Sequence, residues 1–358
     1  MNKHLSSLDG LKGLSACIIA FAWHYQHFAP TFSPFKIIIP FSFDYGYLMV
    51  ELFFMLSGFG MMIGYKNRIL DNNLSFKDFI LRRISKIYPA FLFSTILVIV
   101  LEVLYLHKTG TTFVYPNFDI YHLLLNIFLL QNGLLETAWS FNSPSWCISI
   151  CFVCYLIFYY VIKNSNRESH IYYKFFVLAI CSLAIIISNI NYPIFNSLIG
   201  RGLSCFSIGV LLYGLYERKN SFNYKMIGYI SLISIIIMYL AYRLNPNYNA
   251  IVGNLRLAFI IGIAPMIIIA AIEVPIVNSI LSSKPIVYLG KISMSIYLFH
   301  FPTQCLIEDI DKYFNMNIDY SRHIVWISYV ICVLIVASIY NLYINKWFSG
   351  LLKRVFIK

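Results

Sequence analysis

The sequence predicts an all-α, polytopic transmembrane helix bundle of about ten spans plus a short re-entrant segment, forming a single integral membrane domain over residues 1–358. Composition is the first reason. The chain is 59% hydrophobic and 12% charged, with mean hydropathy +0.73, outside the range of soluble globular domains. Periodicity is the second, because the apolar residues fall into repeated runs of roughly 18 to 22, each able to cross about 30 Å of hydrocarbon as a helix.

Hydropathy places the spans near 11–29, 45–64, 87–106, 145–162, 172–190, 198–216, 224–242, 252–272, 286–305 and 322–345. The first carries His24 and His27 and has no small-residue cleavage site, so it reads as a retained span rather than a removed signal. A shorter run at 120–134, polar at His122 and Asn126, suits a re-entrant or interfacial segment. The segment SFKDFILRRISKI, residues 75–87, has an apolar face and a basic face and reads as an interfacial helix leading into the third span, with Pro89 in that span's first turn.

Charge placement decides the topology. With the short run not counted as a crossing, one side collects about 20 of the 27 basic residues, among them Lys3, Lys12, Lys66, Arg82, Arg83, Lys86, Lys163, Arg167, Lys174, Arg218, Lys219, Lys346, Lys353, Arg354 and Lys358. The positive-inside rule then puts both termini in the cytoplasm of a multi-pass cell-membrane protein. The net charge of +12 is spread between spans instead of forming a patch, which excludes a nucleic-acid partner. The eight cysteines lie mostly inside apolar runs, without disulfide or zinc spacing, and read as core residues.

Ionisable residues within spans are the candidates for chemistry, because each is costly in hydrocarbon. His24 and His27 share one face near the outer end of the first span, with Lys12 at its inner end. Either histidine suits proton transfer near neutral pH, or both simply hydrogen-bond near the headgroups. Glu51 needs a partner or a proton and is a candidate to position the histidine or share its proton. Gly58, Gly60 and Gly64 offer a small-residue packing face. Arg82, Arg83 and Lys86 crowd the cytoplasmic mouth of the third span, where they suit phosphate oxygens or follow the positive-inside bias. Cys147, Cys151 and Cys154 share a face, but no basic group in their helix would activate a thiol. His300, followed by Pro302, is a further interface or acceptor-binding candidate.

Five segments together resemble the membrane acyltransferase 3 family, in its order and over nearly the whole chain. They are LDGLKGLSACIIAFAWH, VELFFMLSGF, LRRISKIYPAF, SPSWCISICFVCY and YLGKISMSIYLFHFP. The resemblance implies an O-acyltransferase that acylates hydroxyls of cell-surface or lipid-linked glycans from acyl-CoA as co-substrate, with no cofactor and no metal. It assigns the catalytic roles to His24 and Lys12, with Glu51 at the family's acidic position. Donor binding falls to Arg82 and Arg83, with Lys86 beside them, and Trp146, Ser149, His300 and, more loosely, Arg201 match segments that would meet the acceptor. His27 is the alternative base.

Two departures from the family pattern carry structural expectations. Cys151 stands where many members have glutamate, so an acid role there is either absent or supplied elsewhere, Glu51 being the candidate. The family spaces its basic residue and histidine by ten residues, whereas eleven separate Lys12 from His24. On a regular helix that turns the pair about 120° apart, and a one-residue π-bulge would restore a shared face. The implied enzyme acts in the bilayer alone, as a homo-oligomer, or with a separate extracytoplasmic partner. A polysaccharide transporter or flippase is the alternative, although no internal repeat supports it. Cysteine labelling should place residues 163–174 on the same side as both termini; labelling from the opposite side would contradict ten crossings.

Overall fold

The computed structural model describes residues 5–345 and 348, except 32, 34, 35, 37–39, 137, 219–222 and 245–253. The charges expected at Lys3, Lys219, Lys346, Lys353, Arg354 and Lys358 lie outside the described residues. The helices are α1 (6–28), α2 (Pro40–Leu70), α3 (Phe76–Thr109), α4 (Ile120–Ile127), α5 (Ser143–Lys163) and α6 (Glu168–Ile187). They continue as α7 (Ser197–Glu217), α8 (Tyr224–Leu244), α9 (Leu255–Glu273), α10 (Pro275–Leu281), α11 (Lys284–Phe314) and α12 (His323–Ile344).

Eight of these are long and apolar enough to cross a membrane: α2, α3 and α5 to α9, with α12. The other two long helices, α1 and α11, are the more polar ones and carry His24, His27 and His300. They pack on each other as one of the most extensive helix pairs, and α11 also packs on α3 and α12. Polar groups in a bilayer belong where protein covers them, so the helices with the chemistry sit inside the apolar set.

The short run at 120–134 does not cross. It holds only the eight-residue α4, capped by Asp119, whose side chain accepts from the His122 backbone N–H. That contact holds the exposed Asp119 carboxyl below its usual range. Further on, Lys163 at the end of α5 donates to Asn72, and the Tyr159 hydroxyl donates to the Leu74 carbonyl at 3.1 Å. The C-terminus of α5 therefore lies beside the α2–α3 loop, which requires two crossings between them and not three. Lys66, 3% exposed, ties the same end together through Glu217 at 2.6 Å and Glu168 at 3.1 Å.

The basic amphipathic stretch leads into the third span without a break, as the first part of one continuous 34-residue helix, N-capped by Ser75, with Pro89 inside it. Its apolar face meets protein: the Phe79 ring lies 5.3 Å from both Tyr65 and Tyr159.

Glycines set the closest approaches. A Cβ at Gly290 would lie 2.2 Å from the Asp9 carbonyl oxygen, and one at Gly13 would lie 2.5 Å from the Gly290 nitrogen, so α1 and α11 touch backbone to backbone. Gly209 against Met55 and Gly58 against Phe206 do the same for α2 and α7. Gly60 and Gly64 face open space, so of the expected trio only Gly58 packs. Gly290→Ala and Gly209→Ala should each destabilise the protein by about 1–3 kcal/mol, by overpacking. Gly60→Ala and Gly64→Ala should leave stability unchanged or slightly raised. Thermal unfolding of the detergent-purified protein measures the difference.

Candidate active site

The helix 6–28 changes pitch on its way to the histidines. Ser6–Ile18 is α-helical, Ile19–Trp23 is a π-turn and His24–Phe28 is a 3₁₀ turn. The π-turn is the insertion expected from comparing the eleven-residue spacing with the family's ten, and it turns His24 back toward the face of Lys12.

His24 meets α11. Its Nδ1 lies 2.6 Å from His300 Nε2, and the two rings stack at 4.7 Å. His300 Nδ1 lies 2.7 Å from the Tyr297 carbonyl oxygen. A carbonyl only accepts, so in neutral rings His300 carries its proton on Nδ1 and accepts at Nε2. His24 must then donate from Nδ1. Its Nε2 is left with a free lone pair that no described residue meets, on a ring that is only half-buried.

Gln304, one turn beyond His300, fixes the second histidine. Its Nε2 donates to the His24 carbonyl at 2.7 Å, which orients the amide so that Oε1 accepts from His27 Nδ1 at 2.9 Å. The remaining His27 nitrogen faces the Tyr115 hydroxyl at 3.5 Å. His27 is thus engaged on both nitrogens and His24 on one. The same helix turn is shaped by Pro302, which has no N–H for the Leu298 carbonyl four residues back. Asn142 Nδ2 fills that vacancy at 3.1 Å and also donates to Ser94 Oγ at 3.0 Å.

Glu51 lies elsewhere. Fully buried, it accepts from Arg201 Nε at 2.7 Å and faces Arg256 Nε at 3.5 Å, and it makes no contact with His24 or His27 among the described residues. The expectation that it positions the histidine is therefore corrected: its charge belongs to arginine. Arg201 lies over the Trp146 ring at 4.8 Å. Ser149, one turn along from Trp146, is buried with no hydrogen-bond partner for its Oγ among the described residues. The Cys147 thiol, next to Trp146, lies 3.2 Å from the Tyr297 hydroxyl and so links this cluster to the histidines.

The cationic group lies toward the other end. Lys12 pairs loosely with Asp9 at 3.5 Å, and Lys86 is exposed while feeling the charges of Arg83, Lys12 and Asp9. Arg83 donates to the Tyr65 hydroxyl and packs over that ring at 4.5 Å. The Nε atoms of Arg82 and Arg83 are both buried without a partner among the described residues. Lys12 and His24 are about 18 Å apart along the helix. Gln304, Tyr115, Asn142 and Arg256 were not singled out as site residues from sequence, although Gln304 at i+4 from His300 was a readable signal.

A family model described as "Acyltransferase domain", that of the acyltransferase 3 family, matches residues 5–342. A protein named "Putative acetyltransferase ORF330", from Acidianus two-tailed virus, is 26% identical over 294 residues, covering 81% of this chain and 80% of that one. No solved structure matches. A match across nearly the whole chain, on a bundle that seats the motif histidines together, means that this protein belongs to the acyltransferase 3 family.

Proposed function

We propose that the protein transfers an acyl group, acetyl being the simplest, from acyl-CoA to a hydroxyl of a cell-surface or lipid-linked glycan. The observation that carries this reading is the free Nε2 of His24, held by His300 at one end of a helix whose other end opens among Lys12, Arg83 and Lys86. Coenzyme A carries its phosphates and its thioester at opposite ends of a long arm. Arginine and lysine suit the phosphates, and the orphan Nε atoms of Arg82 and Arg83 call for an acceptor. The thioester then reaches the histidines.

In the reaction, His24 Nε2 takes the proton of the acceptor hydroxyl as that oxygen attacks the thioester carbonyl. The C–S bond breaks, the ester remains on the acceptor, and the thiolate recovers the proton from His24 Nε2–H as free coenzyme A. His300 keeps the imidazole in the required tautomer and receives the Nδ1–H bond that strengthens when His24 becomes charged. Charge asymmetry supports an orientation with the Lys12 end in the cytoplasm beside the acyl-CoA pool and the histidine end toward an outer acceptor. The protein is accordingly read as a cell-membrane enzyme that works alone, as a homo-oligomer, or beside an extracytoplasmic partner.

His24→Ala should remove about two to four orders of magnitude of transfer rate while leaving acyl-CoA affinity unchanged. His27→Ala should lose less, because its free nitrogen is already met by Tyr115. Transfer from acetyl-CoA by purified protein measures both, and full activity in the His24→Ala, His27→Ala double variant would overturn the mechanism.

Replacing Arg82 and Arg83 together by alanine should weaken acyl-CoA binding, since each well-formed charge-assisted phosphate contact contributes roughly 1.5–3 kcal/mol. Titration calorimetry showing unchanged donor affinity would return both arginines to a purely topological role.

A further inference from the structure

The proposed proton transfer leaves the Glu51, Arg201 and Arg256 cluster without a task. One carboxylate there faces two guanidiniums, at 2.7 and 3.5 Å, so the group carries a net positive charge within the bundle. Arg201 is 8% exposed. Its Nε serves Glu51, and no described residue accepts from its two Nη groups. Arg256 is held more loosely: its Nε faces Glu51 at 3.5 Å without a hydrogen bond, and its guanidinium bonds to Tyr47, whose ring lies 5.3 Å from the guanidinium carbon. Trp146 and Tyr47 present aromatic faces that steady a cation but bring no formal negative charge. The Arg201 fork is therefore fixed by its inner edge with its outer edge unused, the Arg256 Nε beside it is buried without a hydrogen-bond partner among the described residues, and a planar fork matches an oxyanion bidentately.

The cluster connects to the histidines through intervening side chains and shares no contact with the donor-phosphate cations among the described residues. From Trp146 the path runs to Cys147, whose thiol is 3.2 Å from the Tyr297 hydroxyl, and the Tyr297 ring lies 6.0 Å from that of His300. We infer that Arg201 and Arg256 form an oxyanion site for the acceptor, so that the acceptor carries a carboxylate or phosphate near the hydroxyl that is acylated. This rests on the acyl-transfer reading above. The chemistry is shared by an acidic sugar and by the phosphate of a lipid-linked glycan. Binding at this anchor would present one hydroxyl to His24 and leave others out of reach.

The test is direct binding to full-length protein in nanodiscs, with two matched pairs of ligands. One pair is a glucuronic acid disaccharide and its methyl ester; the other is a polyprenyl-pyrophosphate-linked neutral disaccharide and the corresponding polyprenol glycoside. At least one charged ligand should bind about tenfold or more tightly than its neutral match, and the pair that discriminates names the source of the oxyanion. Arg256→Gln should erase the preference. Arg201→Gln alone would strand the buried Glu51, so it is combined with Glu51→Gln, which should also erase it. Acyl-CoA affinity, unchanged in every variant, serves as the control for folding. Equal binding within both pairs, or a preference that survives both variants, overturns the proposal. A preference that the variants erase, in a protein that transfers no acyl group, would sustain the oxyanion site and remove the acyl-transfer reading instead.

Discussion

The backbone contact between Gly13 and Gly290 sets the register on which the site depends. A methyl group on either residue would meet the opposite backbone, so α1 and α11 are locked at one height where they cross. The helices run side by side in the same direction from that point. His300 lies ten residues beyond Gly290, and His24 eleven beyond Gly13. Ten residues of helix rise about 15 Å. The additional residue on α1 is taken up by the π-turn at Ile19–Trp23, and the two rings arrive at 2.6 Å. Without the bulge, His24 would point about 100° away from its partner.

Once the register is set, hydrogen bonding makes the two histidines different from each other. Carbonyl groups, which cannot donate, stand at the two ends of the network: Tyr297 at His300 and His24's own backbone at Gln304. From these ends the proton positions follow inward by elimination. The result is one imidazole nitrogen with an unused lone pair. Pro302 contributes by freeing the Leu298 carbonyl, which draws in Asn142 from the segment before α5 and ties that segment to α11. Polar groups in a bilayer bundle are satisfied inside it wherever protein covers them, and of these two histidines only His24 keeps a nitrogen that no described residue meets.

Much of this was legible in the sequence. Run lengths and charge asymmetry gave the all-α bundle and the non-crossing 120–134 segment, because span length and loop charge are local properties. Set against the ten-residue spacing that the family resemblance implies, the eleven-residue separation of Lys12 and His24 pointed to the π-turn, because helical phase is arithmetic. Contacts between helices far apart in sequence were not legible. The partner that Glu51 needed was not legible, because Arg201 lies 150 residues away. Gly60 and Gly64 read as packing residues because hydropathy does not separate a helix-facing side from a lipid-facing one. Tyr115 and Asn142 gave no signal, since each acts through contacts to residues distant in sequence.

The central claim is that His300 fixes His24 with its proton on Nδ1 and its lone pair on Nε2. The most direct measurement is ¹⁵N solid-state NMR of histidine-labelled protein in bilayers at neutral pH, with the His24 signals assigned by difference against His24→Ala. The account predicts a neutral His24 protonated at Nδ1, with a through-space contact from that nitrogen to His300 Nε2. A His24 protonated at Nε2, or one whose Nδ1 shows no contact with His300, would contradict it.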